Sequence, residues 1–239
     1  MPSLDEVRER FEEPGFYLGK PFGVAVRAIL VRRLLGQLDG ATLLDIGCGD
    51  GSLSLQFASP KNRLTLIDLS KAMLERARGN VTQGLEPTVK LLQMDFRAFD
   101  SPGAFDVVLC IGVLAHVDSI DDAVRKVASF LKPGGRAIFQ ITDSNTFVAR
   151  IHSSAQKLKS WMGRDVGYQT NSMTLHGLHE VLARSAFQIL DERRYSLILP
   201  GMGKLPNNWL FRYQLASLDR PSLGRLGMDV VLLVQKPVG

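Results

Sequence analysis

Apolar residues along the chain come in two rhythms. Short, nearly continuous runs (Leu43-Leu44 to Ile46, Leu64 to Ile67, Leu91-Leu92, Val107 to Ile111, Ala137 to Ile141) have the length of strands buried on both faces. Between them lie segments with apolar residues three and four apart, the spacing of amphipathic helices. The pattern predicts strands over 42–46, 63–67, 90–94, 105–111, 136–142, 187–199 and 228–235. It predicts helices over 4–13, 24–38, 71–78, 121–131, 147–161 and 174–185, and a further helix over 53–58. Strand and helix alternate through the first 142 residues, the pattern of an α/β fold with a mainly parallel sheet.

One stretch concentrates the chemistry: Leu43 to Ser52, LLDIGCGDGS, where a strand runs into a glycine turn. Gly47, Gly49 and Gly51 lack a Cβ, so the backbone can take positive φ and lie close to a ligand. A helix starting there aims its unpaired N–H groups at the turn. The spacing is G-x-G-x-G, and Ser52 stands where a dinucleotide fingerprint places its third glycine. Asp45 ends the strand two residues before Gly47. A carboxylate there repels a pyrophosphate and attracts an ammonium, by roughly 1 kcal/mol at contact in bulk water and several-fold more in a shielded crevice. The ligand implied is a cationic, amino-acid-bearing cofactor rather than a nicotinamide dinucleotide. Asp68 ends the second strand, about 17 residues past the glycine turn, where an acid accepts from both hydroxyls of a ribose. Ser70 is the better placed cap for the next helix, which leaves Asp68 for that role.

Composition narrows the class. A chain of 239 residues with 45% hydrophobic and 22% charged content is long enough for one domain with a sizeable core. No apolar run reaches the ~20 residues of a membrane span, and the charged start MPSLDEVRERFEEPG has no signal-peptide core. Cys48 and Cys110 are too sparse for a disulfide framework, and a reducing, cytoplasmic compartment is expected. A net charge of +5 permits an acidic partner. The charges are spread, without the Lys/Arg block of a nucleic-acid tail, so nucleic acid is not the expected partner.

LLDIGCGDGS resembles the first motif of the class I S-adenosylmethionine-dependent methyltransferases, in their small-molecule branch. Arg63 to Asp68, Lys90 to Phe96, Phe105 to Val117 and the turn LKPGG (residues 131–135) fit the same family in order and spacing. The resemblance covers about residues 38–142. It implies a Rossmann-like, seven-stranded, mostly parallel sheet with an antiparallel last strand, helices on both faces and a small lid. It implies S-adenosylmethionine as cofactor, with Asp45, Gly47, Cys48 and Gly49 around its methionine end and Asp68 on the ribose. Leu69 and Met73 then pack on the adenine, Asp95 accepts from its amine, Phe96 borders the base, and Cys110 and Ile111 close the side of the fourth strand. A helix before the first strand covers the cofactor in such enzymes, making Tyr17 and Lys20 candidate contacts. The alternative for Phe16, Tyr17 and Phe22 is a staple onto the core. His116, beside the expected sulfonium and near Asp118, is the candidate general base. Its alternative role is to frame the site.

After Thr142 the chain departs from a minimal methyltransferase. His176 and His179 share a helix face but lack a third ligand, and read as surface histidines. Pro200 to Gly227 is too long for a hairpin connection, and Trp209 and Tyr213 within it share a helix face. That segment is read as lining an acceptor pocket, as touching a membrane or a second copy, or as packing plainly on the sheet. Tyr168, His152 and Arg150 are further acceptor-side candidates. The organisation expected is a single domain with a helical cap (1–38), a cofactor core (39–142) and a substrate-side half (143–239), acting as monomer or homodimer. The activity expected is methyl transfer to an oxygen or nitrogen of a small molecule. The rivals are an RNA or protein methyltransferase and a non-catalytic cofactor-binding adaptor. Against the first, the Asn/Asp-Pro-Pro-Tyr string of many base and amide methyltransferases is absent after the fourth strand.

Overall fold

The computed structural model describes residues 21–147, 149–150, 173–196, 202, 205–218 and 227–238. Seven strands form one sheet: β1 (Thr42–Ile46), β2 (Arg63–Asp68), β3 (Val89–Gln93), β4 (Phe105–Cys110), β5 (Leu131–Thr142), β6 (Gln188–Tyr195) and β7 (Asp229–Gln235). Their order is β3-β2-β1-β4-β5-β7-β6. β7 is antiparallel to both its neighbours, and the other pairs are parallel. The chain leaves β1 toward β2 and β3 on one side and resumes with β4 on the other. The crevice between β1 and β4 is therefore the topological switch point, where open α/β sheets bind ligands.

Five helices cover the two faces among the described residues: α1 (Pro21–Leu35), α2 (Lys71–Asn80), α3 (Ile120–Phe130), α4 (Leu175–Arg184) and α5 (Asn207–Leu218). Successive strand residues point to opposite faces. Leu44, Ile46, Val108 and Phe139 accordingly pack with α3 and α4, through Val124, Val127, Leu178 and Leu182. Leu43, Val107, Leu109 and Ile138 pack with α1 and α2, through Val26, Leu30, Leu74 and Ala77. Asp45 has the parity of Leu43 and points toward the α1 layer.

The pattern of apolar positions placed every strand, with shifts of a few residues at the ends. It failed after the glycine turn. In place of a helix over 53–58 there is a single 3-10 turn, Leu55–Phe57. Only eight residues separate Gly51 from Pro60, too few to repay helix nucleation, and Ser52 and Ser54 favour turns. Asn62 ends the segment: its amide donates to the carbonyls of Phe57 (2.8 Å) and Leu38 (3.1 Å) and accepts from Ala41 N–H (2.9 Å). The LKPGG stretch belongs to β5 rather than preceding it, because Leu131 already pairs with Phe105 across a register irregularity. Helices expected over 4–13 and 147–161 lie wholly or largely outside the described residues.

Of the segment 200–227, residues 202, 205–218 and 227 are described. α5 packs on α1 and β6, burying Leu210 and Gln214, and Gln214 accepts from Ser196 N–H (3.0 Å). Trp209 and Tyr213 share a face and stack, with centroids 5.5 Å apart and planes within 5°. No helix among the described residues is long and apolar enough to cross a membrane.

α4 ends on Ala186, whose φ of 57° is left-handed, with Phe187 N–H returning to Leu182 C=O (3.0 Å). That geometry favours glycine, since an L side chain in the left-handed region costs ~1–2 kcal/mol. Ala186 is exposed, so nothing is lost by trimming its methyl group. Ala186→Gly should stabilise the protein by about 0.5–1 kcal/mol after glycine's extra unfolded-state entropy is subtracted, measured by urea denaturation.

Candidate functional site

An open cleft of about 910 Å³, adjoining solvent included, lies at the carboxyl ends of β1, β2, β3 and β4. Its size suits a cofactor. Four loops and two helices build its wall. Ile46, Gly47 and Gly49 follow β1, and Ile67 to Leu69 close β2. Met94 to Arg97 follow β3, and Ile111 to Val113 with His116 and Val117 follow β4. Arg27 enters from α1 and Met73 from α2.

The glycine turn is drawn tight. Gly47 has φ +64°, and a Cβ there would lie 2.7 Å from Val113 Cγ2. Cys48 N–H donates to Ile67 C=O (3.0 Å). Gly49 N–H donates to Asp68 Oδ2 (2.8 Å), while Asp68 Oδ1 accepts from Ser70 N–H (2.9 Å). Ser70 caps α2 as expected, accepting from Met73 N–H. Asp68 is thus not a carboxylate spared for a ligand. It first holds the turn and the start of α2, and a carboxylate has acceptor positions beyond those two.

Asp45 lies just inside the wall, 1% exposed, and its Oδ2 has no hydrogen-bond partner among the described residues. Burial pushes its pKa up to about 7, with the nearby Ser54 hydroxyl opposing the rise and the charges of Asp68 and Asp50 adding to it; Ser54 Oγ is likewise without a hydrogen-bond partner among the described residues. An unpartnered carboxylate oxygen this deep calls for a cation or a polar ligand.

Of the residues expected to meet a cofactor, Gly47, Gly49, Asp68, Leu69, Met73, Asp95, Phe96, Ile111 and His116 line this one cleft. Cys48 and Cys110 do not. They are buried, and burial, with the charge of Asp45, pushes both thiols far up, so they stay protonated packing groups. Asp45 sits behind the wall rather than in it. Tyr17, Lys20, Tyr168 and His152 fall outside the described residues. The Asp118 carboxylate engages Arg97 (3.1 Å). His176 pairs with Glu180 and His179 with Glu192, in keeping with surface histidines. Among the described residues no cluster of metal-ligating side chains occurs.

Two charged wall residues, Arg27 and Arg97, escaped the sequence reading. Arg27 comes from α1. No local pattern marks it, because its place depends on how α1 docks over β4: the guanidinium lies about where a side chain on Gly112 would reach, with Nη1 3.9 Å from a Cβ built there. Arg97 follows Asp95 by two residues and donates to it from Nε (2.9 Å), Nη2 (2.7 Å) and its backbone N–H (2.9 Å).

Residues 43–135 match the family described as "Methyltransferase domain". Over that stretch the chain is similar to methyltransferases. It is 37% identical over 122 residues to the ubiquinone biosynthesis O-methyltransferase of Bordetella bronchiseptica, covering 48% of each chain. It is 37% identical over 101 residues to the protein of the same name from Xanthomonas euvesicatoria, covering 42% of each. The chain thus spans about half the length of the curated relatives it matches. The fold of the chain resembles that of magnesium protoporphyrin IX methyltransferase from Synechocystis, solved with bound S-adenosylhomocysteine. There the TM-score is 0.70 at 17% identity, over 98% of this chain and 100% of that one. A putative S-adenosylmethionine-dependent methyltransferase from Listeria monocytogenes aligns with TM-score 0.66 at 22% identity, over 90% and 99%.

The raised pKa of Asp45 has a consequence for stability. A carboxyl protonated more readily folded than unfolded stabilises at low pH, and this contribution is lost as pH rises from about 4 through about 7. Asp45→Asn, which cannot ionise, should therefore raise the melting temperature of the ligand-free protein at pH 8, by a few kcal/mol equivalent at about 1.4 kcal/mol per pKa unit. The difference should shrink as pH falls and vanish below about pH 4; differential scanning fluorimetry from pH 4 to 8 checks it.

Proposed function

We propose that the protein transfers a methyl group from S-adenosylmethionine to a hydroxyl oxygen of a small-molecule acceptor, releasing S-adenosylhomocysteine. The observation that carries the reading is the unpartnered Asp45 oxygen beneath a glycine cradle with no room for a Cβ. The rest of the wall fits the same cofactor group by group. Asp45 suits the methionine ammonium, and Arg27, held over Gly112, suits the carboxylate. Asp68, fixed by the backbone of Gly49 and Ser70, suits the ribose hydroxyls. Asp95 suits the adenine amine, with Leu69, Met73 and Phe96 around the base. Oxygen is preferred over nitrogen because the curated relatives are named O-methyltransferases.

When bound, the cofactor supplies an activated methyl carbon on a sulfonium that is its own leaving group. The protein has then to align an acceptor and manage one proton. Alignment is worth roughly 7–11 kcal/mol and a positioned base typically ~10²–10⁴-fold. His116, in the wall just after β4, is the residue we assign to the proton. Free, buried thiols suit a reducing, cytoplasmic setting. The governing experiment is incubation with methyl-labelled S-adenosylmethionine and a panel of phenols and catechols. Label in the organic phase with matching S-adenosylhomocysteine supports the reading. Label only in added RNA or protein overturns it, as does cofactor binding without transfer to any fraction of a cell extract, which would favour the adaptor.

His116→Ala should lower kcat about 10²-fold while leaving the Kd for S-adenosylhomocysteine within twofold; an unchanged kcat would restrict His116 to framing the site.

The buried acid also sets a pH dependence. A bound ammonium favours ionised Asp45, so binding should release a proton below about pH 7. The affinity for S-adenosylhomocysteine should rise up to tenfold per pH unit below 7 and level off above it. Asp45→Asn should bind more weakly and lose most of that slope, as followed by calorimetry in buffers of different ionisation enthalpy.

A further inference from the structure

Arg97 is used by nothing in the reaction as described, yet it is the most heavily engaged cation in the cleft wall. Nε and Nη2 both donate to Asp95 Oδ2, and the backbone N–H of Arg97 donates to Oδ1. Those bonds hold the carboxylate against the guanidinium fork. The remaining nitrogen, Nη1, reaches Asp118 Oδ2 at 3.1 Å. Hydrogen bonding to Asp95 raises the Arg97 pKa, so the fork stays charged throughout.

The two acids belong to different parts of the sheet. Asp95 follows β3, an edge strand. Asp118 follows β4 and stands two residues beyond His116. β2 and β1 separate β3 from β4, so no strand pairing sets one loop against the other. The side chain of Arg97 does so across the rim, between the part of the wall that suits the base and the turn that carries His116. Apolar contacts of Phe96 within the core below share the task, but they do not touch either carboxylate.

Exposed ion pairs are usually weak because two long side chains must be ordered together. Here the cost is reduced. Three bonds to Asp95 already order Arg97, and a planar fork loses little freedom in making one more. Asp118 is largely exposed, at 69% of its side-chain surface, so its bond to Arg97 is screened in the open cleft and strengthens when a ligand displaces water from the rim.

We propose that Arg97 is a positioning residue that couples recognition of the adenine at Asp95 to the placement of the His116 turn, through Asp118. The inference rests on the cofactor reading above and goes beyond it. Asp95, held by Arg97, presents a carboxylate of fixed orientation to an amino group and repels a ring oxo group at the same position. Occupancy of the base end then tightens the Arg97–Asp118 bond and steadies residues 113–118.

The test uses nucleosides alone, which reach the base and ribose end but carry neither methionine nor methyl group. Adenosine should bind the full chain at least tenfold more tightly than inosine, and should slow amide hydrogen exchange across residues 113–118. Asp118→Asn leaves the Asp95 contacts intact. It should bind adenosine within twofold of the unaltered protein, keep the preference over inosine, and lose the slowing at 113–118. Arg97→Met should weaken adenosine about tenfold, narrow the adenosine-to-inosine ratio to under threefold, and lose the slowing. Arg97→Lys, which keeps the charge without the fork, should lose the slowing as well, and Arg97 and Asp118 are exposed enough for all three variants to fold. Unaltered slowing in Asp118→Asn, or an unaltered nucleoside ratio in Arg97→Met, would overturn the coupling while leaving the cofactor reading intact. Failure of the unaltered protein to bind S-adenosylhomocysteine would remove the cofactor reading and the coupling together.

Discussion

The hydrogen bond from Gly49 N–H to the Asp68 carboxylate is the constraint on which the site depends. It joins the turn after β1 to the tip of β2, and Cys48 N–H to Ile67 C=O doubles the joint one residue away. The turn can accept this clamp because Gly47 and Gly49 hold positive φ, a conformation that costs an L side chain about 1–2 kcal/mol per residue. The other oxygen of Asp68 accepts from Ser70 N–H, which sets the start of α2 and so places Met73 in the wall. One carboxylate thereby fixes three pieces of backbone. The missing helix after the turn matters less than it would in a site built on a helix terminus, because a side chain rather than a helix end organises these N–H groups.

The opposite end of the sheet shows how much of the fold's rigidity is kept away from the cleft. Asp106 accepts from Thr42 N–H (2.8 Å), from the Thr42 hydroxyl (2.7 Å) and from Lys132 (2.8 Å), pinning the amino ends of β1, β4 and β5. Burial alone would raise its pKa, but these bonds hold it below the usual carboxylate value. Asp45, one strand end away from those fully satisfied groups, is the reverse case: buried, repelled by Asp68 and Asp50, and left with an oxygen unpaired among the described residues. A fold tolerates that cost where a ligand later removes it.

Much of this was legible in the sequence. Parallel strands covered on both faces read as continuous apolar runs, so β1, β2 and β4 stood out, and the acids at the ends of β1, β2 and β3 followed by counting. Ser70 could be separated from Asp68 as the helix cap because capping chemistry is local. The failures share a cause. Arg27 stands over Gly112, 85 residues away, through the docking of a whole helix, and Arg97 reaches Asp118 because two loops meet across the rim. The segment after Gly51 was read as helix from its apolar spacing. Nucleation cost and the fold-back of Asn62 decided otherwise, and only the second of these requires the structure.

The helix α5 closes the argument about the substrate-side half. Its buried residues Leu210 and Gln214 face α1 and the end of β6, and its amide side chain satisfies Ser196, a residue at φ 66° where the chain leaves β6. α1 is the helix that carries Arg27 into the cleft. No residue of α5 enters the wall. Within the described residues, then, the insertion between β6 and β7 acts by bracing. It holds α1 down on the sheet, and α1 holds a guanidinium over Gly112. Variation in this part of the chain can therefore alter the Arg27 side of the cleft without contacting it, because the charge placed there is only as well positioned as the helix that bears it.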